Sequence, residues 1–375
     1  MLLKKNNWVI FYFLLFLGVI YLIISAFSTW QNLLSRSQNE IAFLNKIFSS
    51  SVTSTFDQQE IMLELLGHDL LSIETNHFAS KSTLKLDKLL DQQQSIIGFG
   101  LFNVDGNILA ASSNVDQSKM PNLRQSTTSS GTFIRAIDKK EMVLGHTYFL
   151  DAINSWVIPV RKSIRDQQGK VLGIMTAGIK PEDLLPRLND LTLNNKIDIV
   201  RSTPYQSILL HDNSFQLAYI SGITDSVQLK DIINKPVTTD LIFEHNRIME
   251  QQTGLTMKDI RNQAVSLEYN AADSDGDINM YSLIYIPKYQ LWSLTQLPKS
   301  YLINQMKNTL GHYLVAFFSV LIIIFVLFRY IHNFEKNNRK QLLLQANHDF
   351  LTGLHNRLYL EYAEPKWIYD GARPF

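Results

Sequence analysis

Cysteine is absent from all 375 residues. That excludes disulfide frameworks, thiolate metal sites and cysteine nucleophiles together. It fits an exported domain large enough to hold without covalent staples. Charge of either sign is not in excess: the formal net charge is +1, so no global field points to nucleic acid. No Walker-type G-K-[ST] loop occurs, and no H-E-x-x-H motif. The nine histidines form no close pair at metal-ligand spacing. Asp273, Asp275, Gly276 and Asp277 resemble a calcium loop only superficially. An EF-hand needs glycine at loop position six and glutamate at twelve. Here Gly276 would be fourth and Ile284 twelfth, so the segment reads as a hairpin turn. No catalytic constellation and no metal site is expected.

Two long apolar runs are present. The first extends from Trp8 to Phe27 without a charged residue, and the second from about Leu310 to Phe328, with Arg329 closing it. Each approaches the roughly 20 apolar residues that a helix needs to cross the hydrocarbon core. Trp8, Trp30, Tyr313 and Tyr330 stand at their ends, where interfacial aromatic belts lie. The first run is longer than a signal-peptide core, and no A-x-A site follows it, so it reads as an uncleaved anchor. Lys4 and Lys5 precede the first run; Arg329, Lys336, Arg339 and Lys340 follow the second. The positive-inside rule then puts both ends in the cytoplasm and the intervening segment outside. The expected organisation is a cytoplasmic N-terminus (1–7), membrane helix (8–28), outer region (31–307), second membrane helix (310–330), signalling helix (331–345) and a cytoplasmic tail (346–375).

After the first span the pattern stays helical. Ile41, Leu44, Phe48, Val52 and Phe56 recur at steps of three and four, and Ile61, Leu65 and Leu66 carry the stripe to about Leu71. Strands are expected over Ser95–Phe102 and Ile108–Ser112, joined at Asp105-Gly106. Further strands are expected over Thr132–Ile137, Met142–Leu150, Trp156–Ile164 and Val171–Ile179, then a helix over Pro181–Leu191. A second unit follows: strands at Lys196–Arg201, Ser207–His211 and Gln216–Ser221, helix over Thr239–Gln263, and strands at Ala264–Tyr269, Ile278–Ile286 and Leu291–Leu297. Pro298 ends this sheet, with Ser300 able to cap the next helix. The fold class is therefore α+β.

The segments LFNVDGNILAASSN (Leu101–Asn114), WVIPVRKSIRDQQGKVLGIMTAGI (Trp156–Ile179) and YSLIYIPKYQLWSLTQLPKSYL (Tyr281–Leu302) resemble a double Cache domain over roughly residues 35–305. The resemblance implies two PAS-like antiparallel-sheet modules, 31–191 and 192–299, on one long N-terminal helix. In such sensors a small molecule binds in the pocket of the sheet. Tyr148, Trp156 and Arg161 are the candidate contacts, since aromatic and cationic groups suit a carboxylate. Strand alternation puts Trp156 and Arg161 on opposite faces unless Pro159 interrupts the pairing. The plainer alternative, which the residues of one strand favour, has Trp156 in the core and Arg161 on the surface. Amino-acid-binding members carry arginine two residues before the tryptophan; this chain has Asn154.

ANHDFLTGLHNRLYL (Ala346–Leu360) is similar to the D-x-L-T-G-L-x-N-R opening of GGDEF-type diguanylate cyclase domains. Asp349, Leu351, Thr352, Gly353, Leu354, Asn356 and Arg357 match, which is seven of nine positions. HDFLT also resembles the phospho-acceptor box of histidine kinases, but Gly353, Asn356 and Arg357 fit the cyclase opening better. The resemblance implies condensation of two GTP into cyclic di-GMP by a dimer. The chain stops at Phe375, before the family's first central strand, and has no adjacent glycine pair. The active site, with its magnesium and GTP, is therefore expected to belong to the part beyond, and this chain to carry neither cofactor nor catalysis. The expectation is a homodimeric receptor of the bacterial inner membrane. Its periplasmic sensor would respond to an unknown small molecule and control a cyclase. The alternatives are that the full gene product is itself an active cyclase, or that the protein is a non-catalytic dimerisation or solute-binding partner.

Overall fold

The computed structural model describes residues 7–73, 78–181, 205–212, 214–221, 237–263, 265–273, 275–349, 352–357, 359 and 361. In chain order its elements are α1 (Asn7–Leu71), α2 (Phe78–Leu90), β1 (Ile96–Phe102), β2 (Ile108–Ala111), α3 (Ser130–Asp138), β3 (Val143–Leu144), β4 (Tyr148–Leu150), β5 (Ser155–Arg165) and β6 (Val171–Ile179). Then come β7 (Gln206–His211), β8 (Leu217–Ile220), α4 (Thr239–Thr253), α5 (Met257–Gln263), β9 (Leu267–Ala272), β10 (Ile278–Ile286), β11 (Leu291–Pro298) and α6 (Lys299–Asn347). The chain divides into two compact units, Leu34–Ile303 and Met1–Leu33 with Asn304–Phe375.

In the first of these units, two antiparallel sheets share one helix. The first sheet runs β2-β1-β6-β5-β3, with β4 also paired to β5; the second runs β8-β7-β11-β10-β9. Phe48, Val52, Phe56, Leu63 and Leu70 of α1 are buried in one core cluster with Ile158, Val160 and Ile164 of β5 and with Leu209 and Leu291 of the second sheet. The helix joins this core because these positions repeat at four and seven residues, which returns them to one face. Two largely buried polar ties fix its register. Asn45 Nδ2 donates to the carbonyls of Ser282 (2.8 Å) and Ser293 (3.2 Å), and Ser293 Oγ donates back to Asn45 Oδ1 at 2.6 Å. Further along, Glu60 pairs with Lys162 of β5 at 2.9 Å.

The predicted hairpin β1–β2 and the strands β5, β6, β7, β8, β10 and β11 form, β6 and β10 at the expected bounds and the others with ends within one residue. Four expectations need correction. Thr132–Ile137 is not a strand but part of α3. Its buried residues are Thr132, Phe133 and Ala136, a helical spacing that the β-branched composition obscured. Met142–Leu150 is two short strands: Gly145 N–H still bonds the Pro159 carbonyl at 2.8 Å, and the chain then breaks the pairing before β4 starts at Tyr148. Ile61 and Leu65 are 60% and 67% exposed; Leu63 and Leu70 hold the core face instead. The helix expected over Thr239–Gln263 breaks at Gly254, whose φ of 75° terminates α4 and whose N–H bonds the Glu250 carbonyl. In addition β9 begins at Leu267 and runs to Ala272, later than expected, and α6 begins at Lys299, directly after β11, so Ser300 lies inside it. The Pro181–Leu191 helix, apart from Pro181, and the Lys196–Arg201 strand lie outside the described residues, as do Lys4 and Lys5.

In the other unit, the N-terminal part of α1 and most of α6 carry the two apolar runs. Each helix is long and apolar enough to cross a membrane, with mean hydropathy 2.7 over its most apolar window. Phe11 packs edge-on to Phe325 and Phe328, with ring centroids 6.0 and 5.7 Å away.

Candidate ligand-binding site

The first sheet has two faces with different neighbours. Alternation along β5 sends Ile158, Val160, Lys162 and Ile164 toward α1, and Val157, Pro159 and Arg161 to the opposite face. There α3 covers the sheet, and Phe133 and Ala136 pack with Phe102, Val143 and Ile174. Arg161 lies beneath this helix and is 0% exposed. The expectation of a surface arginine is therefore corrected: β5 is an interior strand of a sheet covered on both faces, so its outward-alternating residue is buried as well. Arg161 Nη1 donates to Thr132 Oγ1 of α3 at 2.5 Å. Its Nε and Nη2 are buried and have no hydrogen-bond partner among the described residues.

Tyr148 reaches the same place. It pairs with Val157 across β4–β5 and so shares the Arg161 face. Its hydroxyl accepts from Ser129 Oγ at 3.4 Å and is the polar neighbour that favours the charged guanidinium. Burial pushes the Arg161 pKa down, Tyr148 opposes that shift, and nearby Arg135 adds to it. Gly145 makes the arrangement possible. A Cβ there would meet Pro159 Cγ at 2.6 Å and Arg161 Nη1 at 2.8 Å, so a larger residue would displace the guanidinium. A buried cation with two unused donors and no carboxylate partner among the described residues is costly by itself. The arrangement can bind an anionic group through a planar fork of N–H donors.

Trp156 is not part of this cluster. The β5–β6 ladder passes through Pro159, opposite Gly178, without a register shift. Trp156 therefore stays on the other face, where it meets Phe149 edge-on at 5.9 Å and packs against the core cluster of the second module. Asn154 adopts φ 52° in the β4–β5 turn, a left-handed conformation that asparagine tolerates. The structure thus brings Tyr148 and Arg161 together and leaves Trp156 apart.

Leu34–Ile303 shares its fold with an extracellular domain of known structure. The extracellular domain of rpHK1S-Z16, named as a histidine kinase, superposes with TM-score 0.51 at 16% identity, covering 71% of this chain and 95% of that one. The likeness is one of fold, two antiparallel sheets along one long helix. The ligand-binding domain of the Campylobacter jejuni chemoreceptor Tlp3, in complex with L-valine, is also similar, at 15% identity and TM-score 0.46 over 74% of this chain and 98% of that one. No family model matches the sequence, nor does any curated protein.

Sequence reasoning missed a second site. Between the second sheet and α4 lies a cavity of about 510 Å³. Its walls are mainly apolar and aromatic, including Leu210, Met249, Tyr269, Tyr281 and Leu283, with Asp273 and Asp275 also lining it. Tyr269 and Tyr281 stack at 5.3 Å. His245 Nε2 lies 2.9 Å from the Ala272 carbonyl and Nδ1 3.1 Å from the Tyr269 hydroxyl. The carbonyl can only accept, so Nε2 carries the proton and Nδ1 accepts from Tyr269. Burial lowers the His245 pKa, which keeps that tautomer neutral. The available signal was the inward alternation of Tyr269, Tyr281 and Leu283 on adjacent strands, which reads equally well as packed core.

The tail motif forms a local turn. Asp349 Oδ1 accepts from both Thr352 N–H and Thr352 Oγ, each at 3.0 Å, and Gly353 N–H bonds the Asp349 carbonyl at 3.0 Å. Asn356 Nδ2 donates to the Ala346 carbonyl at 2.6 Å, and its Oδ1 accepts from Tyr359 N–H at 3.0 Å as an N-cap does. Arg357 pairs with Glu361 at 3.2 Å. Leu354 is 70% exposed, and Leu351 lies outside the described residues.

Proposed function

We propose that this protein is a two-pass transmembrane receptor whose Cache-like region senses a small anionic molecule outside the cytoplasmic membrane and controls a cyclase-type output. The observation that carries the sensing half is Arg161: a fully buried guanidinium whose Nε and Nη2 meet no hydrogen-bond geometry among the described residues, with the Tyr148 hydroxyl beside it as a favourable polar neighbour. A carboxylate or similar anion would satisfy both nitrogens and neutralise the charge. It would also link β5 to α3, and so favour one arrangement of the module over another. The membrane assignment rests on the two apolar helices and the basic residues that flank them. The output rests on the sequence of the tail, Asp349 to Arg357, which resembles the opening of a GGDEF-type domain.

The test is a thermal-shift screen of the full chain in detergent against carboxylates, amino acids, amines and nucleobases. A ligand that binds only the folded state raises the melting temperature with concentration. The reading requires an anionic hit whose shift disappears in Arg161→Ala; failure of every anion to shift the protein sinks it. The cavity of the second module favours a second reading, in which an apolar ligand binds there, since its volume is within the usual range for organic ligands. A hit that survives Arg161→Ala but is lost in Met249→Trp, which fills that cavity, would select it. The output half is tested by assaying membranes for GTP-dependent cyclic di-GMP synthesis from the complete reading frame, with and without the hit. No synthesis under either condition would remove the cyclase.

A further inference from the structure

A second group of unpartnered polar side chains lies where the two modules meet. His146 belongs to the β3–β4 connection of the first module, and His211 ends β7 of the second. Their rings meet edge to face with centroids 4.8 Å apart. His146 Nδ1 and His211 Nε2 are both buried and have no hydrogen-bond partner among the described residues, and His211 is 6% exposed. The two imidazoles border a void of about 40 Å³, together with Arg135 and Lys139 from the end of α3 and Lys288 from the β10–β11 turn. Lys288 is engaged by Asp57 and Glu60. Asp212, the carboxylate at the rim, is already held by Arg261, Tyr285 and Trp292. Arg135 has no carboxylate partner among the described residues, although burial penalises its charge.

The chemistry of the void follows from these facts. Its walls carry surplus positive charge and two imidazoles that can each place their N–H on the unpartnered nitrogen. A metal ion is disfavoured by the cations, and an organic metabolite by the volume. The void exceeds what a single water needs. Buried charge in a protein is ordinarily paired. We propose that this junction binds one small inorganic anion of chloride size, held by Arg135 and the two imidazole N–H groups, and that the anion ties the first module to the second. The tie would lie beside the existing contact of Thr147 Oγ with the Ala218 carbonyl at 3.1 Å, which joins the same two segments. This site does not depend on Arg161 or on the identity of any ligand there.

The test replaces gluconate by chloride at constant ionic strength in the full chain in detergent, following the melting temperature. A saturable rise is expected in the wild type. Its midpoint should move to about tenfold higher chloride, or further, in Arg135→Gln and in His146→Gln, as expected when one partner of a desolvated charge pair is truncated. Arg135 is only partly buried, so its variant should fold even if His146→Gln does not. No chloride response in the wild type overturns the proposal. So does a response undiminished in Arg135→Gln, a response to sulfate with none to chloride, or a chloride response that vanishes in Arg161→Met while surviving Arg135→Gln. The last outcome would assign the anion to the other arginine.

Discussion

Replacing Glu60 by glutamine tests whether charge locks α1 to the first sheet. Glu60 Oε1 lies 2.9 Å from Lys162 Nζ and also accepts from Met142 N–H at 2.9 Å, while Oε2 takes Lys288 at 2.9 Å. The two side chains of the central pair are 11% and 8% exposed. Glutamine preserves size but leaves Lys162 with the Lys140 carbonyl and the more distant, half-exposed Glu64 at 3.4 Å. Breaking a buried pair costs about 3–5 kcal/mol when the remaining charge is uncompensated. Glu64 offsets part of this, so about 2–4 kcal/mol is expected here. At roughly 2–4 °C per kcal/mol for a domain of this size, the melting temperature should fall by about 4–16 °C. The pH dependence gives an independent check. Burial by itself would raise the Glu60 pKa, but hydrogen bonds from Lys162, Lys288 and Met142 outweigh it and hold the group below its ordinary value. A depressed folded pKa means stability present above the unfolded pKa and lost as pH falls through the folded one. The gap between wild type and Glu60→Gln should therefore be constant from about pH 6 to 8 and close only below about pH 4. The assay is calorimetry or tryptophan fluorescence on the full chain in detergent. A fall under about 2 °C, or a double variant Glu60→Gln/Lys162→Met whose loss equals the sum of the singles, would refute the argument.

Arg161→Met should raise stability by about 1 kcal/mol or more, because a buried unpaired charge is replaced by an apolar side chain. The same change should abolish the thermal shift given by the anionic ligand of the Arg161 site while leaving the chloride response intact; a loss of stability would show that Arg161 serves the fold and not a ligand. Asn45→Ala strips the buried ties to Ser282 and Ser293 and should cost about 2–3 kcal/mol by chemical denaturation, since it orphans buried acceptors and opens a cavity. Gly145→Ala should impair anion binding more than stability, seen as a weakened thermal shift in a protein that still melts cooperatively. Retention of full ligand affinity in that variant would mean that the guanidinium does not need the close approach observed here.

Much of the architecture was legible in the residues. The apolar runs at Trp8–Phe27 and Leu310–Phe328, the stripe from Ile41 to Phe56, and the hairpin at Asp105-Gly106 each carry a local signal, because helix and strand periods and turn chemistry act over a few residues. Errors arose where two periods fit equally well. Thr132–Ile137 is rich in β-branched residues, yet its burial against β5 and β6 is helical. Ile61 and Leu65 fit the stripe, but the helix turns Leu63 and Leu70 to the core. At the candidate site, the type of residue was visible and its environment was not. Arg161 looked like a surface residue because a single strand does not reveal that α3 covers its outer face.

The sequence by itself determined the order of apolar and polar segments, and with it the two long helices, the α+β class and the local turn of the Asp349–Arg357 motif. Only the tertiary structure decided which polar groups would be left without partners. Arg161 is separated from Trp156 by the uninterrupted ladder through Pro159, and His146 meets His211 across 65 residues of chain. Such pairings depend on which sheet faces are covered and on how the two modules close against α1, and these are non-local properties that no run of neighbouring residues encodes.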